Sequence, residues 1–282
     1  MRPSRRMRRT TVAAWLCGAL ASAAALFGTA PLRAAEIIAH RGASFDAPEN
    51  TLASVKLAWE QQADAVEIDV YLSKDRQIVV MHDATPKRYG GPDRKISDMT
   101  FEEIRQLDVG TWKSSRFAGE KVPRLEDILD SIPAGRRLFI EVKCGPEIVP
   151  VLKGVLKKAN RPAAQTCLIS FNAAVIEAAT RELPDLERYW VVGFPGKDKQ
   201  PPKADELMET VRRIGATGLD LGGKTSLFDA ALIERLTAAK IPCYAWTVND
   251  PEEARRLVDL GILGITTDKP AVLRLAGLAT GR

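Results

Sequence analysis

The stretch IIAHRGASFDAPENTLASVKLAWEQQADAVEIDVYL, Ile37–Leu72, holds a short apolar run, a turn of small and polar residues, a helical pattern and a second β-rich run. Ile37–His40 and Ala65–Tyr71 are predicted strands, and Leu52–Gln62 between them a helix that Asn50 or Thr51 can cap. The same rhythm continues down the chain. Further strands are predicted at Arg137–Val142, Thr166–Ser170, Arg188–Val192, Gly218–Leu221, Pro242–Thr247 and Gly264–Thr266, with helices at Pro146–Lys158, Ala173–Glu182, Ala204–Ile214, Asp229–Ala239 and Pro251–Leu260. Eight strands with intervening helices predict an α/β fold, a (β/α)8 TIM barrel, with an open doubly wound sheet as its competitor. Only the connection from Ser73 to Pro133 breaks the pattern. It carries QIVVMHD, then Gly90, Gly91 and Pro92, then a short helix near Phe101–Leu107, and reads as a functional insertion after the second strand rather than a second domain.

Residues 1–35 stand apart. They hold Arg2, Arg5, Arg6, Arg8, Arg9 and Arg33, no acidic residue, and an apolar run from about Val12 to Gly28. A charged segment followed by an apolar one is the layout of a secretory signal peptide, so 36–282 is expected to be the exported domain, periplasmic or secreted. An uncleaved N-terminal anchor is the alternative, because the run approaches the ~20 residues that span a bilayer. SRRMRRTTV has the paired arginines of twin-arginine export without the apolar residues expected right after them. The leader carries six of the chain's 41 Lys and Arg and none of its 36 acidic residues, which leaves a net charge of −1 beyond it. With no basic stripe in the remainder, a nucleic-acid partner is not expected, nor a stable membrane partner once the leader is removed. Cys144, Cys167 and Cys243 lie in or beside apolar runs and read as buried free thiols, one bridge being the alternative in an oxidising compartment.

Alternate side chains on a strand face opposite ways. In DAVEIDVYLS, Glu67 and Asp69 therefore share one face and Val66, Ile68 and Val70 the other; in LFIEVKCG, Glu141 and Lys143 oppose Ile140 and Val142. Two strands thus aim carboxylates where a buried face would take apolar groups. An unpaired buried carboxylate is costly, and one lysine cannot pair three of them. A hard divalent cation on oxygen ligands, Ca2+ or Mg2+, resolves the surplus, whereas zinc sites recruit histidine and cysteine. The chain's two histidines, His40 and His82, each close an apolar run, and barrels place active sites at such strand ends. Such a pair can act as general base and general acid near neutral pH. Three carboxylates, one divalent cation, Arg41 and Lys143 sum to a site charge of about +1, which suits a singly charged phosphodiester gripped by Arg41.

These residues fall in segments that resemble the glycerophosphodiester phosphodiesterase family: AHRGASFDAPENT, VEIDVYLSKDRQIVVMHD, TFEEIRQLDVGTWKSSRFAGEKVPRLEDIL, FIEVK, YAWTVND and GITTDKP, over nearly all of the chain beyond the leader. The resemblance implies a TIM barrel, a small insertion after the second strand, one divalent cation, and hydrolysis of deacylated phospholipids to sn-glycerol 3-phosphate and an alcohol. It puts catalytic histidines at His40 and His82, metal carboxylates at Glu67, Asp69 and Glu141, phosphate-facing cations at Arg41 and Lys143, and a pocket aromatic at Trp246. It also implies internal attack by the hydroxyl next to the phosphate, giving a cyclic phosphate that water opens, with one histidine as base and the other as acid; either order fits the sequence, and His40 is read as base and His82 as acid.

In PENT, Glu49 and Asn50 are candidate supports of the metal site, with helix-dipole and helix-cap roles as the plainer alternatives. Trp112 reads as core packing, with a lip over the pocket as the alternative, and LDLGGKTS as a barrel-rim turn. Two rivals remain. A phosphodiesterase acting on intact lipid would need an exposed apolar patch at the rim, and none stands out in the sequence. A non-catalytic barrel that captures phosphate esters would lack a histidine or a carboxylate, and all five are present.

Overall fold

The computed structural model describes residues 35–194, 202–223 and 225–278, so the leader read over residues 1–35, with Cys17, lies outside the described residues but for Ala35. The strands are β1 (Glu36–His40), β2 (Ala65–Leu72), β3 (Ile78–Val80), β4 (Arg137–Val142), β5 (Thr166–Ser170), β6 (Glu187–Phe194), β7 (Gly218–Gly223), β8 (Cys243–Trp246) and β9 (Gly264–Thr267). Eight of them run parallel in the order β1-β9-β8-β7-β6-β5-β4-β2, and a β1–β2 pairing closes the ring. A closed parallel sheet has no free edge, and the open-sheet competitor is excluded.

Helices α1 (Leu52–Glu60), α3 (Leu125–Asp130), α4 (Val149–Ala159), α5 (Ala173–Glu182), α6 (Ala204–Ile214), α7 (Ala230–Ala238), α8 (Pro251–Leu260) and α9 (Pro270–Leu275) accompany the barrel, and α2 (Phe101–Ile104) belongs to the insertion. The outward residues of β2, Val66, Ile68 and Val70, join one core with Val55 and Ala58 of α1 and Leu125, Ile128 and Leu129 of α3. Each such fully buried side chain contributes roughly 1.5–3 kcal/mol, and this apolar contact is what selects the outward face. Thr51 caps α1: its hydroxyl accepts from the Ser54 amide, and Ser54 returns the bond to the Thr51 backbone.

The inward faces form layers. At the floor, Arg137 bonds Glu36, Glu187 and the Tyr244 hydroxyl. Above it Ile38, Phe139, Cys167, Tyr189 and Tyr244 pack together, with the Tyr189 and Tyr244 ring centroids 4.8 Å apart. The acidic residues of β2 and β4 come next toward the C-terminal ends of the strands. Packing fills the lower interior, so only the upper layer is left for a ligand.

The apolar run of QIVVMHD does not build a barrel strand. It forms β3, a short antiparallel partner of β2 with Val80 opposite Val70. The insertion then closes over a satellite core of Val79, Met81, Ile96, Met99, Ile104, Val109 and Val122. Cys144, Cys167 and Cys243 are free thiols, Cys144 half-buried and the other two buried. No helix among the described residues is long and apolar enough to cross a membrane.

Candidate active site

Strand register assembles the acidic layer. His40 of β1 lies opposite Glu67 of β2, and Asp69 of β2 lies opposite Glu141 of β4. Glu67, Asp69 and Glu141 are buried, and each offers a carboxylate oxygen within 4.8 Å of the others. The chain's own cations answer part of this charge. Lys143 Nζ donates to Glu141 Oε1 at 2.7 Å and lies 3.3 Å from Asp69 Oδ1. Arg41 Nε lies 3.1 Å from Asp69 Oδ2, and the Arg41 backbone amide donates to Glu67 Oε2 at 2.9 Å. Glu67 Oε1 and Asp69 Oδ1 are left without a hydrogen-bond partner. Burial, then the charges of Asp69 and Glu141, push the Glu67 carboxyl well above the usual range; burial and Asp69 raise that of Glu141.

The two imidazoles are held alike. His40 Nδ1 meets Asp268 Oδ1 and His82 Nδ1 meets Asp83 Oδ1, each at 2.7 Å. Burial of Asp268 opposes its ionisation, but its bonds to His40, Asn249 and Ser44 outweigh that and hold its carboxyl below the usual range. Asp83 is likewise held low by His82 and Arg88 against the cost of burial. An ionised carboxylate only accepts, so each Nδ1 carries a proton and donates it, which leaves Nε2 as the nitrogen that can exchange a proton with a substrate. His82 reaches this rim because antiparallel β3 carries the chain back beside Asp69, whose carbonyl accepts from the Met81 amide at 2.9 Å. His82 therefore follows a strand, as its apolar run predicts, and that strand is the returning arm of a hairpin rather than a barrel strand.

Both rings line a cavity of about 130 Å3 with Lys143, Phe171, Asp220 and Trp246. Drug-sized ligand pockets are roughly 300–1,000 Å3, so this one takes a small group and leaves the rest of a substrate outside. The model of the glycerophosphoryl diester phosphodiesterase family matches residues 40–272, which include every residue of this site. The chain belongs to that family. It is accordingly a phosphoric diester hydrolase. The chain is 31% identical over 245 residues to the glycerophosphodiester phosphodiesterase of Caldanaerobacter subterraneus, a match covering 84% of this chain and 95% of that one. A lysophospholipase D of Mus musculus is 27% identical, with 84% of each chain covered. Among solved structures, a phosphodiesterase of Oleispira antarctica in complex with the product sn-glycerol-3-phosphate superposes with a TM-score of 0.76 at 31% identity, covering 86% of this chain and 96% of that one.

In this glycerophosphoryl diester phosphodiesterase the three-carboxylate cluster fits a hard cation. The donors are all oxygen, two of the buried oxygens have no hydrogen-bond partner, and the geometry brings one oxygen from each residue together. Asn50 does not cap α1: its amide donates to Asp69 Oδ2 at 2.8 Å and its carbonyl accepts from the Asp69 amide at 3.1 Å. Glu49 accepts from Arg41 at 3.1 Å, the guanidinium that also meets Asp69, and from Arg88 at 2.6 Å. Trp246 borders the cavity, its indole pressed on Gly222, where a Cβ would come within 2.1 Å of the ring.

Three residues of the site carried no role in the sequence reading: Asp268, Asp220 and Phe171. Asp268 follows inward-facing Thr266 by two residues, the same alternation that marked Glu67 and Asp69. Asp220 lies in GLDLG of β7, an acid between leucines on a buried strand, and one of its carboxyl oxygens has no hydrogen-bond partner. Burial, then the charge of Glu141, raises its carboxyl well above the usual range. LDLGGKTS was read as a rim turn, but its first five residues belong to β7. Trp112, read as core packing, is 42% exposed, with Arg88 over its ring at 5.5 Å. The insertion has its own core, and Trp112 is not part of it.

Proposed function

We propose that this enzyme hydrolyses glycerophosphodiesters to sn-glycerol 3-phosphate and an alcohol, with His40 and His82 as its acid–base pair and Glu67, Asp69 and Glu141 as ligands of Ca2+ or Mg2+. The observation that carries the reading is the meeting of two carboxylate-anchored imidazoles and three buried carboxylates on one small cavity. When bound, the cation supplies charge to offset that developing on the phosphoryl oxygens. Lys143 and Arg41 add positive charge at the same point and orient the diester phosphate. His40 takes the proton of the hydroxyl next to the phosphate, which attacks phosphorus as an internal nucleophile; His82 gives a proton to the departing alcohol. Water then opens the cyclic phosphate with the roles of the histidines reversed. The basic, apolar leader supports an exported enzyme acting in the periplasm or outside the cell.

The test is release of glycerol 3-phosphate from a panel of glycerophosphodiesters, with each metal added back after chelation. Loss of turnover on chelation, recovery with Ca2+ or Mg2+, and a fall of about 10²–10⁴-fold in His40→Ala and His82→Ala are expected. Full activity in EDTA, or normal turnover by either alanine variant, defeats the reading.

A further inference from the structure

Five large hydrophobic side chains are exposed among the described residues, and three of them connect to the cavity directly or through its neighbours: Phe45 at 56%, Phe171 at 47% and Trp112 at 42%. Phe171 lines the cavity itself, edge-on to Trp246 at 5.5 Å. Phe45 is tied to the catalytic corner, since its amide donates to the carbonyl of Asp268, the residue that holds His40. Trp112 shares a lysine with Phe45: Lys113 Nζ lies 5.9 Å from the Phe45 ring and 5.8 Å from the Trp112 ring, and donates to the Ser44 carbonyl at 2.7 Å. Lys269 Nζ lies 4.4 Å over Phe45, and Arg116 donates to the Asp46 carbonyl on the same loop. Lys113, Lys269 and Arg116 form no ion pair among the described residues, whereas the arginine nearest His82, Arg88, is committed to Glu49 and Asp83. The rim thus interleaves exposed aromatic rings with three cations that lack a carboxylate partner. Residues 45, 112 and 171 are far apart in the chain, so no apolar patch stands out in the sequence.

We propose that this rim docks the enzyme on an anionic phospholipid surface. Phenylalanine and tryptophan favour the headgroup layer, and lysine and arginine each add attraction to anionic lipid there. Docked in this way, the cavity faces the lipid layer, and the part of a substrate that a volume of about 130 Å3 cannot hold lies against the rim. The proposal rests on the reading of the cavity as the active site, but the measurement that decides it is vesicle binding, with turnover as a control. An assembly of two chains through the same face is the competing occupant.

Full-length protein is mixed with vesicles of phosphatidylcholine alone and of phosphatidylcholine with anionic phosphatidylglycerol, and the partition is measured by sedimentation. The leader is common to every variant, so differences between variants read the rim. Three cations predict binding to the anionic vesicles tighter on the order of 100-fold, weakening as salt rises. Lys113→Glu with Arg116→Glu should remove most of that preference while turnover of soluble glycerophosphocholine stays within about twofold. Equal binding by wild type to both vesicle types, or an unchanged preference in the double variant, overturns the proposal. A conservative arm guards against misfolding: brominated lipid should quench part of the wild-type tryptophan emission, and Trp112→Phe should remove that part. Quenching that survives in Trp112→Phe, or a lipid-free dimer that the rim variants dissociate, also overturns it. His40→Ala should bind vesicles like wild type, so loss of turnover and loss of docking are read separately.

Discussion

Asp268 and Asp220 are aspartates on the inward face of the barrel, yet folding moves their carboxyl groups in opposite directions. Asp268 is held low by hydrogen bonds from His40, Asn249 and Ser44 that outweigh its burial, so folding favours its ionised form. That contribution is complete above the unfolded value of about 3.9 and is lost as pH falls below it. In urea melts of metal-free protein, Asp268→Asn should cost about 1–3 kcal/mol near pH 7, a gap that shrinks as the medium is acidified below about pH 4. Asp220 is raised by burial and by Glu141, so folding disfavours its ionised form. Ionisation then favours the unfolded chain as pH rises above about 4, and Asp220→Asn should stabilise more at pH 8 than at pH 4. A gap of the same sign for both variants across that range would refute the assignment. Both aspartates sit at readable i, i+2 positions, but a strand pattern does not say which carboxylate will find a histidine.

At the scale of elements, the corner after β1 is the most constrained part of the site. Arg41, Gly42 and Asn50 all have positive φ, and the Ser54 hydroxyl donates to the Arg41 carbonyl at 2.9 Å. A Cβ on Gly42 would lie 2.5 Å from the Ser54 backbone carbon, at a φ of +78 that L side chains rarely adopt. Gly42→Ala should therefore destabilise the protein by about 1–3 kcal/mol and lower turnover with it, read by thermal melts and a glycerol 3-phosphate assay. The glycine serves close packing of α1 on the corner. The helix itself was readable from PENT and the following apolar pattern; that Thr51 caps it, leaving Asn50 for Asp69, was not, because either side chain satisfies the same local rule. The barrel strands were similarly visible as apolar runs. The run that forms β3 was visible too but its direction was not, since three apolar residues look alike whether the strand is parallel in a barrel or antiparallel on its edge.

For the whole molecule, the prediction concerns the charge concentrated in the upper layer of the barrel. Three buried carboxylates with only Arg41 and Lys143 nearby leave a fold whose stability should depend on a cation. Adding Ca2+ or Mg2+ at about 100 times its dissociation constant should raise unfolding stability by about 2.7 kcal/mol, and Asp69→Asn should abolish most of that gain. Scanning calorimetry with and without chelator reads it, and a melting temperature indifferent to both metals would exclude the cluster as a cation site.

The sequence by itself determined the alternation of strand and helix, and with it the barrel, because apolar periodicity is a local property that each segment carries alone. It also determined the inward carboxylates and the two histidines, since i, i+2 geometry follows from strand pleat. Tertiary structure alone decided that Asp268 grips His40, that a hairpin returns His82 to the rim, and that Lys113 stands between Phe45 and Trp112. Those are meetings between residues up to 228 positions apart, and they depend on register and barrel closure, which no single segment encodes.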